Sequence, residues 1–170
     1  MNEKEIARLV EQAISEMYPK NKEATSTYET AGITLDIARS LIQKVEKKAE
    51  QMGLSVVVAV TNAAAHPVAV ECMDDSYIAS YDIAMGKAYT VVALKMPTST
   101  LKPLCQPNGP LYGIQHTNGG KIVIFGGGVP LCYQGRLIGG LGVSGGSEEQ
   151  DILLAEYGAS VLEEAVSCGK

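Results

Sequence analysis

Gly119-Gly120-Lys121-Ile122-Val123-Ile124-Phe125-Gly126-Gly127-Gly128-Val129-Pro130, followed after Gln134-Gly135 by Arg136-Leu137-Ile138-Gly139-Gly140-Leu141-Gly142-Val143-Ser144-Gly145-Gly146-Ser147-Glu148-Glu149-Gln150-Asp151, decides the fold. Short apolar runs rich in β-branched residues and broken by glycine read as strands, here near 121–126, 129–134 and 136–144. Gln134-Gly135 turns the chain between the last two. Ser147 with Gln150 three residues later forms a capping box, which opens a helix running to about Cys168. The glycines mark positions where a ligand or another part of the backbone comes close.

Working outward from that segment, Gly32-Ile33-Thr34 begins the domain. Thr34 is the expected N-cap, and Asp36 sits in the first turn, where the helix dipole favours a carboxylate. Leu35, Ala38, Leu41, Ile42, Val45, Ala49 and Met52 share one helical face, and Gly53 suits the residue past its end. The run 54–61 is nearly all apolar and predicts a central strand. Asn62 to His66 turns the chain, and 67–73 returns as the second strand of an antiparallel hairpin. A long helix from Asp75 or Ser76 to about Met96 follows, closed by Pro97, and residues 98–118 read as irregular or as a short helix. The order gives an α+β fold, five antiparallel strands with helices packed against them.

The 170 residues suffice for one domain plus a short appendage. The appendage is residues 1–18, an amphipathic helix. Ile6, Leu9, Val10, Ala13, Ile14 and Met17 recur at helical spacing, and Tyr18-Pro19 ends it. Residues 19–31 form a polar linker, and 32–170 the domain. Such a helix either packs on the domain or, tethered as it is, docks on another protein.

With a net charge of −5 and no basic run, nucleic-acid binding is not expected. The N-terminus has no signal-peptide core, and no apolar run approaches the ~18 residues that cross a bilayer. Cys72, Cys105, Cys132 and Cys168 are scattered without metal-ligand spacing, which implies free thiols in a reducing cytoplasm.

The only histidines, His66 and His116, both fall in connections, where binding residues concentrate. Either imidazole could ligate haem iron or serve as an acid/base; the plain alternative is a surface histidine. Gly126-Gly127-Gly128 lacks the following helix and the Lys-Ser/Thr of a phosphate loop, so a bulge or tight crossover is the better reading. Ser144-Gly-Gly-Ser147 precedes a helix N-terminus, but Glu148 and Glu149 would repel an anion there. Asp74-Asp75 and Glu148-Glu149 read as dipole-favoured caps. Lys87 lies in a stretch of small and apolar residues; it either extends its charge to solvent or offers it to a propionate or phosphate. No nucleophile signature is present.

Segments 54–73, 80–93, 106–131 and 136–151 resemble the haem-binding GlcG/HbpS family, which includes the C-terminal domain of PduO proteins. The resemblance is carried by Val58-Ala-Val-Thr-Asn62 to His66, Asp82-Ile-Ala-Met-Gly-Lys87-Ala, Gly109-Pro-Leu-Tyr-Gly-Ile, Asn118-Gly-Gly, Phe125-Gly-Gly-Gly-Val-Pro-Leu and Gly142-Val-Ser-Gly-Gly. It implies a profilin-like five-stranded sheet, self-association and a tetrapyrrole ligand. With the residue reading, haem, or alternatively a corrinoid, is expected near His66, His116, Lys87, Asn118, Phe125, Gly126, Gly127 and Gly128, with His66 or His116 as the candidate iron ligand. The family usually carries Asp-x-x-Gly-His at the first hairpin, where this chain has Asn62-Ala-Ala-Ala65-His66. Residues 3–17 also resemble the encapsulation peptides that direct proteins into bacterial microcompartments, which implies shell or cargo proteins as partners. A haem-binding accessory protein of such a compartment is therefore expected. The alternatives are an auxiliary enzyme of corrinoid activation or reduction, and an oligomeric scaffold without a ligand.

Overall fold

The computed structural model describes residues 32–168. The amphipathic segment with Ile6, Leu9, Val10, Ala13, Ile14 and Met17, and the polar stretch after it, lie outside the described residues.

The chain runs α1 (Leu35–Gln51), β1 (Val57–Asn62), β2 (Pro67–Cys72), α2 (Ile78–Leu94) and α3 (Thr98–Leu104). Two 3-10 turns follow at Ile114–His116 and Asn118–Gly120, then β3 (Gly128–Tyr133), β4 (Arg136–Ser144), α4 (Glu148–Ser160) and α5 (Leu162–Cys168). Thr34 caps α1 as expected, its hydroxyl accepting the Ile37 N–H at 3.2 Å. The capping box at Ser147 and Gln150 is formed in full. The expected single final helix is two, with Val161 between α4 and α5.

The strands make one antiparallel sheet in the order β2-β1-β4-β3. It is four-stranded, not five-stranded as the sequence suggested. The segment 121–126 is apolar enough for a strand, but its backbone is bonded elsewhere. The Val123 N–H goes to the Thr90 hydroxyl of α2 at 2.9 Å and the Gly126 N–H to the Glu148 carboxylate at 2.7 Å. Its apolar residues pack on α2 and α3, where Ile122 is buried with Leu101 and Cys105.

Alternation in β1 separates two cores. Val58 and Val60 face a large cluster with α1, α4 and α5, while Val57 and Ala59 face Ala84 and Ala88 of α2. Helices therefore cover both faces of the sheet. The close packing of α2 needs the glycines of β4. A Cβ at Gly140 would strike the Ala88 carbonyl, and one at Gly142 the Ala84 carbonyl. The sequence pattern anticipated a close approach, and what approaches is the backbone of the protein's own helix.

Among the described residues no helix is long and apolar enough to cross a membrane. Cys72, Cys105 and Cys132 are free thiols, the first and last exposed.

Candidate functional site

A pocket of about 280 Å³ opens where α2 begins and β4 passes into α4. Tyr77, Ala79 and Ile83 of the α2 region and Phe125 form its apolar walls. Ser80, Ser144, Glu148 and Asp151 supply its polar lining. Its rim is unusually greasy for a helix start. Of its walls Tyr77 is 73% exposed and Phe125 39%, and outside the lining Ile78 (96%) and Tyr81 (48%) of α2 are exposed too.

Beneath Phe125 lies a buried ion pair. The Lys87 ammonium is 2.7 Å from Asp151 Oδ2, donates to the Val143 carbonyl at 2.8 Å, and stands 5.1 Å from the centre of the Phe125 ring. Lys87 is wholly buried, so it does not extend its charge to solvent. Burial pushes the Lys87 pKa down and the Asp151 pKa up, with their mutual attraction opposing both shifts. Gly127, at φ +108, makes room for the pair. A Cβ there would lie 2.6 Å from Lys87 Nζ and 2.7 Å from Asp151 Cβ. Gly126 and Gly128 are likewise pressed against Ile152 of α4 and Thr98 of α3, so the triple glycine receives protein, not phosphate.

The N-terminus of α4 is closed to anions. The Gly146 N–H points at Asp151 Oδ1 at 2.9 Å, and Ser147 N–H at Gln150 Oε1. Glu148, expected as a simple cap, links three segments: it takes the Gly126 N–H and pairs with Lys102 of α3. The Lys102 ammonium, helped by the Gly126 N–H, holds its carboxyl below the usual range.

The histidines are not in the pocket. His66 is exposed in the β1–β2 turn, where Asn62 Oδ1 accepts the N–H groups of Ala64 and His66 at 2.9 and 3.0 Å. Asn62 thus shapes the turn, in which Ala65 adopts φ 59. Asn62 pairs with Gly139 and Val57 with Ser144, so this turn and the pocket lie at opposite ends of β1, about 17 Å apart along the strand. His116 is exposed in a loop laid along α2, where Asn118 donates to the Tyr89 hydroxyl at 3.3 Å. Of the residues singled out from sequence, only Phe125 lines the pocket. Tyr77, Ser80 and Asp151 were not foreseen, and Ser144 and Glu148 entered the sequence reading only as a disfavoured anion site. The available signal was the bulky Tyr77-Ile78 pair at a helix start, a place usually given to polar residues.

The walls fit part of a flat apolar ligand. The volume is just below the ~300–1,000 Å³ of organic-ligand pockets, too small to enclose a whole tetrapyrrole.

An antiparallel sheet covered by helices on both faces, with a pocket at the α2 start, defines a small α+β domain. A family model described as haem degrading protein HbpS-like matches residues 33–160, and the chain belongs to this family. It is 42% identical to the 15.0 kDa protein of the dhaT-dhaS intergenic region of Citrobacter freundii, over 79% of this chain and 94% of that one. It is 36% identical to the corrinoid adenosyltransferase PduO of Citrobacter freundii over 89% of this chain, but spans only 45% of that protein. Among solved structures it is similar to a PduOC:heme complex, with a TM-score of 0.74, 36% identity, and coverage of 76% of this chain and 94% of that one.

Proposed function

We propose that this chain is a haem-binding accessory protein of a bacterial microcompartment. The observation that carries the haem reading is the similarity to a PduOC:heme complex across nearly the whole of that domain. The protein holds haem, self-associates, and serves cofactor supply or redox maintenance for its neighbours. Residues 1–18 form the docking helix and 19–31 its linker to the domain at 32–170. The docking stripe supports a place beside shell or cargo proteins, as does the likeness to PduO. That likeness also gives a second reading, an auxiliary role in corrinoid activation.

The test is the haem content of protein purified from haem-replete cells, measured as the pyridine haemochrome. Near-stoichiometric haem is expected. Haem-free protein that also rejects added haemin would remove the reading, and a matched trial with cobalamin would then decide for the corrinoid role.

A further inference from the structure

We infer that the pocket at the α2 start is a site for a small uncharged alcohol, separate from any haem the domain holds. Its size, one spare buried hydroxyl proton and its balance of charge carry the assignment.

At about 280 Å³ the pocket suits a ligand of a single ring or a short chain. Tyr77, Ala79, Ile83 and Phe125 offer that ligand an apolar wall, and two of them are aromatic.

Ser80 and Ser144, both in the lining, are only 3% and 5% exposed. They share one hydrogen bond, in which Ser144 Oγ donates to Ser80 Oγ at 3.3 Å. Two hydroxyls carry two protons, and that bond uses one of them. The Ser80 proton has no acceptor among the described residues, and a buried donor is costly to leave unpaired. The oxygen of a ligand in the pocket satisfies it.

The two carboxylates of the lining only accept. Glu148 Oε1 takes the Gly126 N–H and Oε2 pairs with Lys102, while Asp151 Oδ2 takes Lys87 and Oδ1 the Gly146 N–H. A carboxylate has about four lone-pair sites, so each keeps room for a ligand donor. One free donor beside several acceptors matches a hydroxyl, which gives one proton and accepts another. Charge disfavours the ions. Each carboxylate already has its own ammonium, so an organic cation would leave one positive charge unbalanced. An anion would face two carboxylates with no cation in the lining.

The experiment follows the amide signals of the isotope-labelled full chain by nuclear magnetic resonance during titration with four compounds sharing one ring. Benzyl alcohol is the probe, benzyl methyl ether lacks its donor, and benzylamine and benzoate carry the two charges. Benzyl alcohol is expected to move the amides of Ser80, Phe125, Ser144 and Gly146 and to saturate. The ether should bind about 2- to 12-fold more weakly, the range set by one lost neutral hydrogen bond. Benzylamine should bind more weakly than the alcohol, and benzoate should give no saturable shift. Ser80→Ala should weaken the alcohol by a similar factor while its melting temperature stays within a few degrees of the wild type.

No saturable shift with benzyl alcohol, or saturation at amides elsewhere in the fold, overturns the assignment. An ether that binds as well as the alcohol reduces the pocket to an apolar dent and overturns it too. Tighter binding of benzylamine or benzoate would make the ligand an ion. Unchanged binding in Ser80→Ala removes the spare hydroxyl from the argument and with it the site; should that variant fail to fold, the four-compound series on the wild type still decides. The haem reading stands or falls by its own test, since haemin is absent from this one.

Discussion

Ala65 and Lys87 each sit where a side chain is costly unless a neighbour compensates. Ala65 holds φ 59, a left-handed conformation that disfavours a Cβ by roughly 1 kcal/mol. Asn62 fixes it there by accepting two backbone N–H groups of the same turn. Ala65→Gly should therefore raise stability by about 0.5–1 kcal/mol, seen as a higher urea midpoint at unchanged m value; a lower midpoint would contradict the strain argument. Lys87 is the other. Lys87→Met leaves Asp151 buried without its cation, and a loss of about 3–5 kcal/mol is expected in the same assay. Glu148 gives the pH dependence. Its folded pKa lies below the ordinary 4.5, so its contribution is full above pH 4.5 and disappears as pH falls through the lower, folded value. Glu148→Gln should flatten that acid limb, and an unaltered acid limb would mean the contact with Lys102 and Gly126 contributes nothing.

At the scale of elements, Gly140 and Gly142 of β4 set how closely α2 can lie. Gly142→Ala would drive a methyl group into the Ala84 carbonyl, and a loss of about 1–3 kcal/mol or more should follow, with α2 amides exchanging fastest. Normal exchange in α2 would show that the sheet yields instead. Helices with caps were legible from sequence because Thr34, Ser147 and Gln150 act within a few residues of themselves. The strand expected at 121–126 failed for the opposite reason. An apolar run specifies burial but not the partner, and here Thr90 and Glu148 take N–H groups that a ladder would use. The site was least legible. Lys87 and Asp151 are 64 positions apart, and only the folded chain brings them under Phe125. The histidines drew notice because both fall in connections, and the sequence does not say which end of the sheet a connection occupies.

For the molecule as a whole, the account separates a ligand-holding domain from an N-terminal docking segment. Removing residues 1–20 should leave the melting temperature within a few degrees and abolish co-purification with shell proteins. A large drop in melting temperature would instead make the segment part of the core. The proposed function gives this domain a haem, after the PduOC:heme complex to which it is similar. The most direct measurement is the equilibrium titration of the purified full chain with haemin, followed at the Soret band. A saturable shift with a stoichiometry of one haem per chain is the result this account predicts. A linear, non-saturating rise equal to that of free haemin would contradict it.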